Sequence, residues 1–254
     1  MLSRSILAAT ILGLASGTAV AAEQDTRVFE MRTYHATEGR LDDLHARFRN
    51  HALALVDKHG MTSIGYWTPL DNSENKLVFV LAFPSLEARE VAWKAFFADP
   101  VWQEAKKASE ANGPLVSKVQ SVLLAATDYS PIIAPAAAGD RIFELRTYTA
   151  SAGNLGNLNA RFRNHTCKLF EKHGITNVVY WNPLEGQPGA GEMLIYLISH
   201  KSVDAAAASF ATFRADPAWL SARAASEESA GGSLTVPNGV KSEYLQPTDY
   251  SPMR

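Results

Sequence analysis

Hydrophobic and polar residues follow one succession of patterns that occurs twice along the chain. Over 28–34 they alternate, which predicts a strand with two different faces. Over 39–59 hydrophobic residues recur at helical spacing and form one apolar stripe, and Gly60 suits the end of that helix. Asp99 and Pro100 suit the N-cap and first position of another helix. The remaining pattern predicts strands over 62–67, 77–83 and 118–124 and a helix over 86–97, so the order is βαββαβ, the ferredoxin-like arrangement.

The pattern recurs because the sequence itself is duplicated. Residues 28–70 and 142–184 align without a gap, and 24 of their 43 residue pairs are identical. D-P-V-W over 99–102 returns as D-P-A-W over 216–219, and T-D-Y-S-P over 127–131 returns over 248–252. Two copies are too few for a solenoid, so we predict a tandem duplication of one domain. The predicted repeat one covers 27–131 and repeat two covers 141–252, joined by a linker over 132–140 that is rich in alanine and contains one proline and one glycine.

One βαββαβ unit leaves one face of its sheet uncovered. The segments over 77–83 and 193–198 are apolar at every position, which is typical of strands buried on both faces. We therefore predict an α+β fold in which the sheets of two ferredoxin-like repeats pack together within one chain, as a barrel or a sandwich. A homodimer that exchanges its repeats is the alternative.

The first residues have the pattern of a secretory signal peptide. Arg4 gives a short positive region, and the apolar run over 5–14 is too short to span a membrane. Ala19-Val20-Ala21 matches a cleavage site, so we expect a signal peptide over 1–22, removed after Ala21 or Ala22. The protein would then be secreted or periplasmic. An uncleaved N-terminal anchor is the alternative, and we expect no later membrane span.

Composition excludes several classes of function. Lys and Arg number 24 and Asp and Glu number 26, so the basic footprint of a nucleic-acid-binding protein is absent. The single cysteine, Cys167, excludes an intramolecular disulfide and cysteine-rich metal sites, and we expect it to be a small core residue. The sequence contains neither an H-E-x-x-H zinc motif nor a glycine-rich phosphate loop, and we expect no metal and no cofactor.

The first strand of each repeat carries the strongest candidate chemistry. In repeat one, alternation places Phe29 and Met31 on one face and Glu30, Arg32 and Tyr34 on the other. We expect the apolar pair to face the helices. The polar three would then point at the facing sheet, together with their counterparts in repeat two, Glu144, Arg146 and Tyr148.

A carboxylate, a guanidinium and a phenol in a partly buried interior must pair with one another or bind something. The functional interpretation is a pocket for an anionic or carbonyl ligand, with the arginines as donors and Trp67 and Trp181 along its wall. Tyr66 and Tyr180 would lie on the other face of the same strands. The structural alternative is an ion pair with a satisfied hydroxyl between the halves, and tryptophans that only fill the core.

Histidines end the shared A-R-F-R-N-H segments of the long helices. His51 and His165 are candidate general bases, beside Tyr34 and Tyr148 as candidate acids. The alternative for His51 is a hydrogen bond to a backbone carbonyl. His59 would cap the C-terminus of its helix. We expect the arginines that flank the apolar stripe, at 47, 49, 161 and 163, to be solvated, and contact with an anionic ligand is the alternative.

The motifs F-E-x-R-T-Y, F-x-x-H, H-G before Y-W, and D-P-x-W occur in this order in both repeats, and together they resemble the NIPSNAP domain. The resemblance implies the fold of the dimeric α+β barrel group, formed here within one chain. That group includes cofactor-independent monooxygenases, isomerases and haem-handling enzymes. For the NIPSNAP domain the resemblance implies no settled reaction and no catalytic residue. Eukaryotic members are mitochondrial and linked to protein interaction and mitophagy signalling, a setting that an exported tandem protein does not share.

Two functions follow as expectations. The first is a module that binds a small molecule or a protein partner without turnover. The second is a cofactor-independent enzyme, similar to a monooxygenase or an isomerase, that acts on a small carbonyl or aromatic compound. Assembly into a homo-oligomer is compatible with either.

Overall fold

The computed structural model describes residues 24–133, 139 and 141–254, and these form one closed antiparallel barrel of eight strands. The predicted signal peptide over 1–22 and most of the predicted linker over 132–140 lie outside the described residues. The strands are β1 (Val28–Ala36), β2 (Thr62–Pro69), β3 (Lys76–Phe83), β4 (Val116–Ala126), β5 (Ile142–Ala150), β6 (Thr176–Pro183), β7 (Met193–His200) and β8 (Thr235–Pro247).

Helices cover the outside of the barrel in the order that the sequence predicts. Asp99 caps the helix that begins at Pro100, because its carboxylate accepts from the backbone N–H of Val101 at 2.9 Å. Asp216 caps the helix that begins at Pro217 in the same way, accepting from the N–H of Ala218 at 2.8 Å. The helices are α1 (Leu41–Arg47), α2 (Leu53–Lys58), α3 (Leu86–Ala98), α4 (Pro100–Ser109), α5 (Leu155–Arg161), α6 (Cys167–Lys172), α7 (Val203–Ala215) and α8 (Pro217–Ser229), with π-helical turns π1 (Phe48–Ala52) and π2 (Phe162–Thr166) inside the first helix of each repeat.

The two repeats complete one barrel between them, which confirms the predicted intrachain barrel. Within repeat one the strand order is β4-β1-β3-β2, and within repeat two it is β8-β5-β7-β6. β2 then pairs with β8, and β4 pairs with β6. Each sheet therefore has both of its edges joined to the other repeat, which leaves no exposed sheet edge.

Aspartates of the repeated T-D-Y-S-P segments form ion pairs between the two repeats. Asp128 of repeat one accepts two hydrogen bonds from Arg163 of repeat two, at 2.6 and 2.8 Å. Asp249 of repeat two accepts two from Arg49 of repeat one, both at 2.7 Å. Arg49 and Arg163 are indeed exposed, as predicted, but each is bound to an aspartate rather than only to water.

The interior of the barrel is apolar. Phe29 and Met31 of β1 point into it, where the ring of Phe29 lies 5.6 Å from Trp181 of the other repeat. Trp67 lies 5.5 Å from Phe143 in the same way. Both tryptophans are almost completely buried in this core. Trp67 and Trp181 therefore hold the two sheets together and do not lie beside the polar residues of β1 and β5.

The predicted orientation of the first strands was wrong. Glu30, Arg32 and Tyr34 face the helices and not the opposite sheet, and the same holds for their counterparts Glu144, Arg146 and Tyr148. The physical reason is that the interior of an eight-stranded barrel is just wide enough to be filled by side chains. Among the described residues, the interior offers no cation to a carboxylate, whereas in repeat one a helix outside the barrel supplies Arg89 as well as the N–H of Trp93.

No helix within residues 24–133 and 141–254 has the length and apolar character that crossing a membrane requires.

Candidate functional site

In repeat one, the buried carboxylate of Glu30 is held by side chains from the sheet and from α3. Arg89 donates from Nε at 2.7 Å and from Nη2 at 2.8 Å, and Arg32 donates from Nη1 at 2.7 Å. Trp93 Nε1 and Ser121 Oγ each donate at 2.7 Å. Burial alone would raise the pKa of Glu30, but the hydrogen bonds from Arg89 and the charge of Arg32 lower it to about 2. Glu30 is therefore a fully paired structural anion.

In repeat two, Glu144 is equally buried but has fewer partners. Arg146 Nη1 and Ser242 Oγ donate to it, and His200 Nε2 lies 3.0 Å from its other oxygen. These donors, and the charge of Arg146, lower the pKa of Glu144, although burial acts in the opposite direction. All three partners lie on strands, so α7 contributes none of them, in contrast to α3 in repeat one.

A pocket of about 230 Å³ opens beside Arg146, between β5, π2 and helices α7 and α8. Its wall is a mixture of aromatic rings and guanidinium groups. The residues that line it are Arg146, Tyr148, Arg161, Phe162, Thr166, Phe170, Phe210, Phe213, Arg214, Trp219, Arg223, Glu227, Ser233, Thr235 and Val240. Every one of them belongs to repeat two.

The π2 turn brings Arg161 into this pocket. Its side chain is only 6% exposed, so the prediction that the arginine is solvated was wrong for Arg161, and also for its counterpart Arg47, whose side chain is 4% exposed. A π-helical turn adds one residue to the turn of the helix and is common at functional sites. The hydroxyl of Thr166, at the end of π2, donates to the carbonyl of Arg161 at 3.2 Å and steadies the turn.

Two buried polar atoms at the pocket have no partner among the described residues. These are Nε of Arg146 and Nε of Arg161; the counterparts Arg32 and Arg47 in repeat one also have an unpartnered Nε. Nη2 of Arg146 donates to the hydroxyl of Tyr148 at 3.1 Å. A buried donor without a partner is costly, so an acceptor supplied by a ligand would be stabilised here.

The pocket is positively charged. Arg146, Arg161, Arg214 and Arg223 line it, whereas Glu227 is the only acidic residue among the lining residues. Glu227 is bound to Arg223 at 3.0 Å and lies 3.6 Å from Arg161. Burial lowers the pKa of Arg161, which remains charged at neutral pH because arginine titrates far above it.

Burial would also lower the pKa of Arg146, but the neighbouring Tyr196, Tyr148 and Glu144 raise it. Both guanidinium groups at the inner end of the pocket are therefore cations, and their environment favours an anion beside them.

The structure separates the other predicted site residues. Tyr148 lies in the pocket, whereas Tyr34 packs in the core of repeat one, with its ring 5.1 Å from Phe79. His51 and His165 are exposed on the π-helical turns and line separate shallow grooves. The structure therefore does not bring His165 together with Tyr148.

His59 and Cys167 lie outside the pocket of repeat two. His59 Nε2 lies 2.9 Å from the Asp99 carboxylate, so it joins the start of α4 rather than only capping its own helix. Cys167 is partly buried against the core of repeat two, and burial raises the pKa of its thiol to about 11. Within the described residues, no group of three or more His, Cys, Asp or Glu side chains could hold a metal ion.

Reasoning from the sequence missed Phe210 and Trp219 as pocket residues, and it gave Arg161 an anionic ligand only as the alternative to solvation. A signal was present in the differences between the repeats. Arg89 aligns with Ala206 and Trp93 with Phe210, counting back from the shared D-P-x-W motif. Two large polar side chains of repeat one are thus reduced in repeat two, which is what an open pocket requires.

The fold and the pocket define a class: an intrachain α+β barrel that carries a cationic, aromatic-lined cavity on the outside of its sheet. The family model for NIPSNAP matches residues 29–131 and 143–252, which is most of the chain. The protein therefore belongs to the NIPSNAP family, as a tandem of two such domains. A search of curated proteins finds no match to the chain.

Solved structures with similar folds include NIPSNAP and monooxygenase-like proteins. An uncharacterised NIPSNAP domain protein from Burkholderia xenovorans is 24% identical, with a TM-score of 0.37 over 41% of this chain and 99% of its own. A putative monooxygenase from Lactobacillus acidophilus is 10% identical, with a TM-score of 0.56 over 88% of this chain and 94% of its own. An anthrone oxidase-like protein is 14% identical, with a TM-score of 0.56 over 91% of this chain and 95% of its own. The last two share the barrel fold with this chain.

Proposed function

We propose that repeat two binds a small aromatic carboxylate in the pocket beside Arg146 and Arg161. The observation that carries the proposal is the cavity itself, about 230 Å³ of space beside the two buried guanidinium groups of Arg146 and Arg161. The Nε atom of each has no partner among the described residues, as is also true of the counterparts Arg32 and Arg47 in repeat one, where the groove lined by Arg47 does not include Arg32. A carboxylate is the group that matches the planar fork of an arginine. Its oxygens would supply the missing acceptors.

The wall of the pocket supports an aromatic ring beside that carboxylate. Phe162, Phe170, Phe210 and Phe213 line it. The ring of Phe210 lies 4.9 Å from the guanidinium carbon of Arg146, so an apolar surface and a charge are adjacent. Aromatic rings pack against one another in tilted or offset arrangements, which suits a flat ligand.

The volume supports a ligand with one ring. Pockets for drug-sized molecules measure roughly 300–1,000 Å³. The pocket of repeat two, at about 230 Å³, is smaller. Benzoate and 4-hydroxybenzoate are therefore suitable probes.

The experiment is calorimetric titration of the whole protein with benzoate. Two further titrations separate the contributions of the ligand: benzamide has the ring without the charge, and acetate has the charge without the ring. We expect heat of binding with benzoate only. Removing the Arg161 side chain's charge with Arg161→Gln should weaken benzoate binding by about tenfold or more, because charge-assisted hydrogen bonds contribute roughly 1.5–3 kcal/mol.

Repeat one offers a matched control. Arg47 is the equivalent arginine, equally buried and paired with Glu110 at 2.8 Å. Arg47→Gln should therefore cost a similar amount of stability and leave benzoate binding unchanged. Absence of benzoate binding by the wild type, or equal weakening by Arg47→Gln and Arg161→Gln, would contradict the proposal.

A second candidate function is an enzyme that acts on the bound compound without a cofactor. The observation in its favour is the hydroxyl of Tyr148, which accepts from Arg146 inside the pocket and could exchange a proton with a ligand there. The test is incubation with phenolic acids in air, followed by mass spectrometry of the products. Turnover that is lost in Tyr148→Phe and kept in Tyr34→Phe would favour the enzyme over the binding protein.

Export also belongs to the proposal. The signal-peptide pattern before Glu23 supports a secreted or periplasmic location, where the pocket would meet ligands from outside the cell. N-terminal sequencing of the protein made from its full gene should begin after Ala21 or Ala22.

A further inference from the structure

We infer that the two repeats have divided their roles: repeat one closes its own copy of the site with side chains, and repeat two leaves its copy open for one ligand per chain. This inference rests on the proposed function of the repeat-two pocket. Three aligned pairs of positions decide which copy is open: Phe83 with His200, Arg89 with Ala206, and Trp93 with Phe210.

In repeat one, α3 fills the site. Arg89 and Trp93 both reach the buried carboxylate of Glu30, at 2.7–2.8 Å. The indole of Trp93 also lies over the guanidinium of Arg32, with its ring 4.7 Å from the guanidinium carbon. Phe97 stacks on the outer side of that indole, at 5.2 Å and 15° between planes. Glu30 and the ring of Trp93 thus cover Arg32 from within the protein, although Nε of Arg32 has no partner among the described residues.

In repeat two, these contributions from the helix are removed together. The methyl group of Ala206 cannot donate a hydrogen bond to Glu144, and Phe210 has an aromatic ring but no N–H to donate. His200 on β7 supplies a donor to Glu144 from the strand instead, at 3.0 Å. Glu144 therefore stays paired while the side chains of α7 that would have filled the site are reduced.

Other differences between the repeats favour an anion at the open copy. Arg214 of the pocket aligns with Phe97, so the position that stacks on Trp93 in repeat one carries a positive charge in repeat two. Arg223 aligns with Lys106 and lines the same pocket. Arg214 is exposed to solvent and Lys106 already carries the charge of Arg223, so the added cation is Arg214, whose charge beside the pocket favours an anion there.

Phe210, which lines the pocket, is therefore the residue that determines specificity. It limits the size of the ligand, because the larger side chain that repeat one has at this position would take up pocket space. The inference predicts that the wild-type protein binds benzoate with a stoichiometry of one, although it contains two copies of the E-x-R-x-Y strand.

The first experiment closes repeat two. His200→Phe, Ala206→Arg and Phe210→Trp together give it the three residues of repeat one, so Glu144 gains the donors that Glu30 has. We expect a folded protein whose affinity for benzoate is at least about tenfold weaker, since the pocket volume and the free guanidinium are lost. If the triple variant fails to fold, Phe210→Trp alone tests the same point, because Phe210 lines the pocket and makes no hydrogen bond to Glu144.

The second experiment opens repeat one with the reciprocal set, Phe83→His, Arg89→Ala and Trp93→Phe. We expect the stoichiometry of benzoate binding to rise from one to two, with Arg47→Gln now removing the added site. The matched control is the same set combined with the closed repeat two, which should bind one benzoate.

The outcomes separate the inference from the proposed function. If the wild type binds no benzoate, the proposed function is wrong. If the wild type binds one benzoate per repeat, or if the closed variant keeps its affinity, the division of roles is wrong while the proposed function stands. A folded, opened variant that still binds one benzoate also contradicts the three positions as the deciding ones.

Discussion

The buried carboxylate of Glu30 gives the most quantitative prediction for this fold. It is completely buried and accepts five hydrogen bonds, from Arg89, Arg32, Trp93 and Ser121. We consider the variant Glu30→Gln, which keeps the shape of the side chain and removes its charge. Because two arginines then lose their common partner, the free energy of unfolding should fall by about 3–5 kcal/mol near neutral pH.

The pH dependence follows from the pKa of Glu30, which is lowered from 4.5 to about 2 in the folded protein. A pKa that is lower in the folded state means that the ionised group stabilises the fold above the unfolded-state value. This contribution is therefore complete above about pH 5 and is lost as the pH falls toward about 2. At about 1.4 kcal/mol for each tenfold change in proton affinity, it amounts to about 3 kcal/mol.

The assay is urea unfolding of the wild type and of Glu30→Gln, followed by tryptophan fluorescence, at a series of pH values from neutral to acid. The difference in unfolding free energy between the two proteins should shrink as the pH falls, because protonation removes from the wild type the negative charge that the variant already lacks. Glu38→Gln, at an exposed position, is the control and should change stability by less than about 0.5 kcal/mol at every pH. A cost of Glu30→Gln that stays constant down to the lowest pH would refute the assignment of Glu30 as a paired, ionised group.

Two further predictions concern the barrel and the contacts between the repeats. A Cβ atom on Gly65 would lie 2.3 Å from the ring of Trp67, so Gly65→Ala should lower the free energy of unfolding, measured in urea, by about 1–3 kcal/mol. The control is Gly156→Ala, where nothing lies within 4 Å, which should be neutral or stabilising. Equal effects of the two substitutions would contradict the packing of Trp67. The exposed pairs Arg49–Asp249 and Arg163–Asp128 should contribute little, so Asp249→Asn and Asp128→Asn should each cost less than about 1 kcal/mol, and the cost should decrease in high salt. A larger cost that does not depend on salt would show that these aspartates act through packing or hydrogen bonds rather than charge.

The pocket shows how a duplicated domain can change one copy without losing the fold. The features needed for closure of the barrel, such as Trp67 and Trp181 in the interior, occur in both copies. Differences are concentrated where α3 and α7 meet the first strands, at Arg89 and Ala206 and at Trp93 and Phe210. Because the barrel core and this layer lie on opposite faces of the sheet, one layer can vary while the other keeps the structure intact.

The sequence by itself determined the elements and their order. Alternation and helical spacing are local properties, and so is the cap at Asp99, which the structure places as predicted. The duplication was visible as identity between the two halves, and with it the need to cover two bare sheet faces. For the same reason the barrel could be predicted without coordinates.

The tertiary structure alone decided which way the polar faces point. Alternation shows that Glu30 and Phe29 lie on opposite faces of β1, but it cannot show which face meets the helices. That choice depends on the donors that each side can offer a carboxylate, and Arg89 and Trp93 come from a helix distant in the sequence.

The pocket could not be predicted from the local sequence pattern either. Its position depends on a π-helical turn that carries Arg161 inward and on Phe210 of a separate helix. Space between elements is a property of their packing, so residues that look like a solvated helix flank in the sequence can line a cavity once the elements meet.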